Sequence, residues 1–170
     1  MILSIGKLVV AFCLLVGAWL YVRWTQFHDD FYRRQIPAEI EVGELLYADS
    51  GIRGGCGSAI FALGPRSQAQ LGLSGKRALM GPLFGAHLES ADARGPGITR
   101  EWKETPYIDR DKELRAESYW ATLSCSWIAE TRYETIMGAL EKPGSFFKRY
   151  KEGVTLVIPS ADLVVYLFFE

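Results

Sequence analysis

Few residues in this chain have chemistry to offer, and their spacing limits what that chemistry can be. Cysteines stand at positions 13, 56 and 125 and histidines at 28 and 87. Cys13 lies inside an apolar run behind Phe12, where the lipid-bearing cysteine of a lipoprotein would follow a small residue, so lipidation is not expected. Cys56 and Cys125 remain as a pair. In an oxidising compartment they form a disulfide, and joining positions 69 apart stabilises a fold by about 4 kcal/mol in the chain-entropy model. Two separate buried thiols are the plainer alternative, because free cysteine packs as a small hydrophobe.

A third reading makes Cys56 a nucleophile, with His87 as its base and Glu89 or Asp92 orienting the imidazole. A thiolate needs such a neighbour, and Gly54-Gly55-Cys56-Gly57-Ser58 offers backbone N–H groups for an oxyanion. The run after Cys56, however, reads as a strand rather than the helix that Cys-His hydrolases use. Catalytic residues are therefore not assigned. Other chemistries find less support. Gly72-Leu73-Ser74-Gly75-Lys76-Arg77 lacks the spacer and the Lys-Ser/Thr ending of a phosphate-binding loop, and no Gly-x-Ser-x-Gly elbow occurs. His28 and His87 are too isolated for a metal site. Asp109, Asp111 and Glu113 imitate the start of a calcium loop, but the glycine at its sixth position is missing and Trp120 stands at the twelfth. No cofactor or metal is implied.

The elements that must position these residues begin with an apolar N terminus. Leu8 to Val22 is a run of fifteen residues without a charge, reaching about 22 Å as a helix, short of a hydrocarbon core of roughly 30 Å. Counted from Met1 the reach is about 33 Å, provided Lys7 extends its ammonium to the interface. Trp19, Tyr21 and Trp24 cluster at the far end, where amphipathic rings favour the headgroup zone. This predicts an uncleaved transmembrane anchor over 1–24. The alternatives are a signal peptide cleaved after Val16-Gly17-Ala18, which would leave an apolar mature end, and a buried core helix.

Orientation is contested within the sequence. Lys7 and the amino terminus, weighed against Arg23, Arg33 and Arg34, favour a cytoplasmic domain by the positive-inside rule. The short basic start followed directly by an apolar segment, together with the cysteine pair, favours export. Export is the expectation adopted, with the soluble part in the periplasm of a bacterial inner-membrane protein.

After a juxtamembrane connector over 25–39, a single soluble domain is expected over 40–170. The whole chain has 170 residues, 19 Lys+Arg against 20 Asp+Glu, and 49% hydrophobic residues. That balance excludes intrinsic disorder and gives no electrostatic case for nucleic acid. Glu44–Asp49 and Ser58–Leu63 predict an antiparallel pair across a glycine-rich turn, and Pro65 opens a helix that Gly72 or Gly75 ends. A long irregular segment is expected from Gly81 to Pro106, with at most a short strand around Ala86–Glu89. Trp120–Ile128 alternates as a central strand would, Glu130–Leu140 has helical spacing, and Phe146, Phe147 and Tyr150 continue an apolar face in a second short helix. Val154–Ile158 and Leu163–Phe169 predict a terminal hairpin.

Strands and helices without regular βαβ alternation imply an α+β domain: a mostly antiparallel sheet with helices packed on one face. The apolar start, the Gly-Gly-Cys-Gly turn and the ending Ile158-Pro159-x-x-x-Leu163-Val164-Val165-Tyr166 faintly resemble small bacterial proteins, a resemblance that implies no activity. The leading functional expectation is a noncatalytic anchored protein, stapled by Cys56 and Cys125, that acts through contacts with an unidentified protein partner. A tethered thiol hydrolase using Cys56 and His87 and a cytoplasm-facing anchored regulator are the rivals.

Overall fold

The computed structural model describes residues 2–50, 55–75, 79, 102–106, 122–149 and 153–169. The chain divides into two compact units, Met1–Gln35 and Ile36–Glu170. The first is one helix, α1 (Ile2–Arg33), of 32 residues and so about 48 Å long. No proline interrupts it before Pro37, whose ring disfavours helical geometry at Ile36. Residues Val9–Arg33 are long and apolar enough to cross a membrane by length and composition, and the apolar window is wholly exposed. Phe12, Leu15, Trp19, Tyr21 and Trp24 point outward on every side of it. A helix apolar all round, rather than along one stripe, has no preferred face to bury against a single layer of protein.

The character of α1 changes in its last turns. Arg33 Nε donates to Asp29 Oδ2 at 2.9 Å, one turn apart, the orientation that also suits the helix dipole. Trp24, His28 and Tyr32 form a series of ring contacts with centroids 5.0 and 5.8 Å apart.

Among the described residues of the second unit, six strands make one antiparallel sheet in the order β1-β2-β6-β5-β4-β3. They are β1 (Val42–Ser50), β2 (Cys56–Leu63), β3 (Lys103–Glu104), β4 (Phe146–Arg149), β5 (Gly153–Ile158) and β6 (Leu163–Phe169). Among the described residues, the helices α2 (Pro65–Ser74) and α3 (Glu130–Glu141) accompany them. The register sets two rows of side chains across the central strands. Ile60, Val165, Leu156 and Phe147 align on one face; Phe61, Val164, Val157 and Phe146 align on the other. All eight are at most 5% exposed. Alternate residues of a strand face opposite ways, so a sheet buried on both faces selects nearly continuous apolar runs, as in Leu163–Leu167 and, broken by Thr155, in Val154–Ile158.

The first face carries the main core, into which α3 sets Ile136 and Leu140, with Leu123 beside them. On the second face Lys148 Nζ meets Glu39 Oε1 at 2.7 Å, with side chains only 12% and 4% exposed. Trp102 Nε1 donates to the same oxygen at 3.2 Å, and its ring lies 5.9 Å from the ammonium. These contacts hold residue 39 and Trp102 over the sheet. Removing the Lys148 ammonium would leave the Glu39 carboxylate, 4% exposed, buried without its counter-charge, a loss of about 3–5 kcal/mol.

Two predicted elements are corrected. Phe146 and Phe147 belong to a strand, not a second short helix. Both are buried, on opposite faces of the sheet, and this two-sided burial outweighs the helical spacing of their aromatic neighbours. Trp120–Ile128 is not a central strand: residues 122–124 form a helical turn and 125–129 run without strand pairing. Local bonds explain the turn, since Ser126 N–H donates to Leu123 O at 3.2 Å and Ser126 Oγ to Thr122 O at 3.4 Å. Serine offers the backbone this alternative to a ladder. The other predicted elements are present: the paired β1 and β2, α2 opening at Pro65 and closing at Gly75, α3, and the β5–β6 hairpin. Within the stretch expected to be irregular, Lys103–Glu104 form the strand β3, held by pairing with Phe146 and Phe147; the strand expected near Ala86–Glu89 and the charged stretch Asp109–Glu117 lie outside the described residues.

Thr155 is fully buried on the second face, and its Oγ1 has no hydrogen-bond partner among the described residues. A buried hydroxyl left unsatisfied costs about 1–3 kcal/mol. Thr155→Val is therefore expected to raise unfolding free energy by about 1 kcal/mol in denaturant titrations. A loss of stability would show that the hydroxyl is satisfied.

Candidate functional site

A set of polar side chains joins one end of the β1–β2 pair to the turn at 122–129. Cys56 opens β2 and bonds to Cys125 with S–S 2.02 Å and Cα–Cα 6.3 Å across a separation of 69 residues. The expected pairing is present. Cys125 is exposed and Cys56 half-buried. Next to the bridge, Ser58 Oγ donates to Ser126 Oγ at 2.8 Å. One residue further, Trp127 N–H donates to Asp49 Oδ2 at 3.2 Å. Tyr47 OH donates to the same carboxylate oxygen at 3.1 Å, and Arg132 Nη1 reaches Leu46 O at 3.4 Å.

The backbone allows this closeness at one glycine. A Cβ at Gly57 would run into the Phe168 ring and the Asp49 carbonyl, so only glycine lets β1 and β6 approach β2 there. The result is a covalent bridge with hydrogen bonds alongside it and a tryptophan carried outside them. Trp127 is 92% exposed. Its backbone is held by Asp49 while its indole is left to solvent.

Burial, then the hydrogen bond to Asp49 and the charge of that carboxylate, push the Tyr47 phenol up to about 12 from 10.0; the Trp127 backbone acts weakly the other way. The folded state thus holds this proton more tightly than the unfolded chain. Its contribution to stability is complete below about pH 10 and is lost as pH rises towards 12.

The nucleophile reading meets a direct obstacle here. The Cys56 sulfur is bonded to Cys125 and carries no thiolate in this structure. His87, Glu89 and Asp92 lie outside the described residues, as do Asp109, Asp111 and Glu113. Among the described residues no group of three or more His, Cys, Asp or Glu side chains is placed to hold a metal ion. Cys13, on α1, is free and exposed.

The cysteines are the only members of this cluster that sequence reasoning singled out. Asp49 had no signal of its own in a predicted strand, and Trp127 read as strand core because its neighbours alternate. The sequence hint was the pair of serines flanking the cysteines, Ser58 and Ser126, whose contact spans 68 positions. No protein-family model, curated protein or solved structure matches this chain.

A phenolate titration by ultraviolet absorbance, read as the difference between the protein and Tyr47→Phe, is expected to place Tyr47 near pH 12. In Asp49→Asn it should fall part of the way towards 10, because burial remains. Ionisation in the ordinary tyrosine range in the parent protein would contradict this geometry.

Proposed function

We infer that the protein is a single-pass membrane protein whose disulfide-bridged domain works noncatalytically, through contacts with another protein. The observation that carries this reading is the combination of an all-round apolar, fully exposed helical window with a disulfide in the other unit. Apolar surface exposed on every side of a helix finds its matching solvent in a bilayer, and disulfides persist in oxidising compartments. In this reading residues 1–24 span the bilayer, 25–39 form the juxtamembrane connector, whose last residues from Ile36 pack with the second unit, and 40–170 form the soluble domain. The compartment is the periplasmic side of a bacterial inner membrane.

Trp127 supports the contact role. Tryptophan is among the residue types most enriched at binding hot spots, and an indole 92% exposed is costly surface to keep for packing alone. The charges Arg23, Arg33 and Arg34 favour the opposite orientation by count, but a cytoplasm-facing domain would sit among reductants that oppose the Cys56–Cys125 bond.

Alkaline carbonate washing of membranes followed by protease protection tests the reading. The protein should remain in the membrane pellet, and the domain should be cut in spheroplasts by protease added outside. Release by carbonate, or cleavage only after the inner membrane is opened, would refute it.

A further inference from the structure

We propose that the Cys56–Cys125 disulfide is an exchangeable redox pair, reduced and re-formed in the folded domain by a dithiol partner, with Cys125 as the sulfur attacked. This goes beyond the anchoring and contact reading and does not rest on it, since it concerns the second unit alone. Three observations carry it. Cys125 is exposed whereas Cys56 is half-buried, so an incoming thiolate approaches the bridge more openly from the Cys125 side. The segment bearing Cys125 is held by contacts that do not involve sulfur: Leu123 is 1% exposed in the core, Ser126 bonds to Ser58, and Trp127 N–H bonds to Asp49. Lastly, Trp127 presents an exposed indole two residues from that sulfur, an apolar surface for the molecule that brings the thiol.

The consequence is chemical. Disulfides that are exposed are the labile ones, while buried ones resist exchange. Here, breaking the bond leaves both thiols in place, so the reverse reaction has a high effective concentration. A thiolate of the dithiol attacks Cys125 Sγ, and the electron pair of the Cys56–Cys125 bond leaves on Cys56 Sγ, which takes up a proton. The second thiolate of the dithiol attacks its own sulfur in the mixed disulfide and expels Cys125 as thiolate, which is protonated in turn. The partner is oxidised to a disulfide, and the protein's cystine is reduced to two thiols. A disulfide donor acting in the opposite sense restores the bridge.

The test uses the full chain in detergent micelles with Cys13→Ser, so that only the pair reports. Dithiothreitol is the probe, reduced cysteines are counted by maleimide gel shift, and near-ultraviolet circular dichroism follows the fold. Reduction in native buffer is expected within about a hundredfold of the rate in concentrated guanidinium, with the near-ultraviolet signal retained. Slower reduction, or reduction that proceeds only with loss of that signal, would overturn the proposal. Glutathione disulfide then tests the attacked sulfur. The thiol left in Cys56→Ser, at Cys125, should form the mixed disulfide faster than the thiol left in Cys125→Ser; the reverse order would overturn the assignment.

Discussion

Cys56 sits at the first residue of β2 and Cys125 at the end of a helical turn, and the bond between them ties a strand of the sheet to a segment that pairs with no strand. The candidate site is arranged around that one covalent constraint. Beside it Ser126 meets Ser58 and Trp127 N–H meets Asp49, contacts that span 68 and 78 positions and are each worth about 1 kcal/mol. The bridge offsets the entropy of closing so long a loop as the fold forms; once it has formed, these bonds and the buried Leu123 keep the turn seated beside β2.

The sheet supplies the platform. Its central strands are buried on both faces, one packed by α3 through Ile136 and Leu140, the other closed by contacts such as the Glu39–Lys148–Trp102 cluster. Such a platform holds the β1–β2 end still while leaving the turn at 125–129 outside it. A rigid scaffold bearing an exposed tryptophan on a loop is the arrangement through which many proteins make specific contacts.

Local signals in the sequence located the elements that local physics decides. Pro65 and Gly75 bracket α2, the spacing of Tyr133, Ile136, Met137 and Leu140 marks α3, and the β-branched runs on either side of Pro159 mark the hairpin. Local pattern is silent where distant contacts decide. Phe146 and Phe147 suit either a helix or a strand, and only pairing with β3 and β5 settles them. Leu123, Cys125 and Trp127 alternate like a strand, yet Leu123 is 1% exposed and Trp127 92%, because Ser126 turns the chain between them. Within the site, the cysteine pair was legible because two cysteines outside the apolar run admit only one pairing. Asp49, Tyr47 and Ser58 were not, since nothing in their own neighbourhood reveals what they meet.

The apolar helix and the bridge make one account if both belong to a single protein at a membrane with an oxidising side. Its most direct test is maleimide labelling of denatured, isolated membranes with and without prior reduction, trapping free thiols at lysis. The account predicts one labelled cysteine before reduction and three after, the two added labels disappearing in the Cys56→Ser, Cys125→Ser double variant. Full labelling without reduction would contradict it.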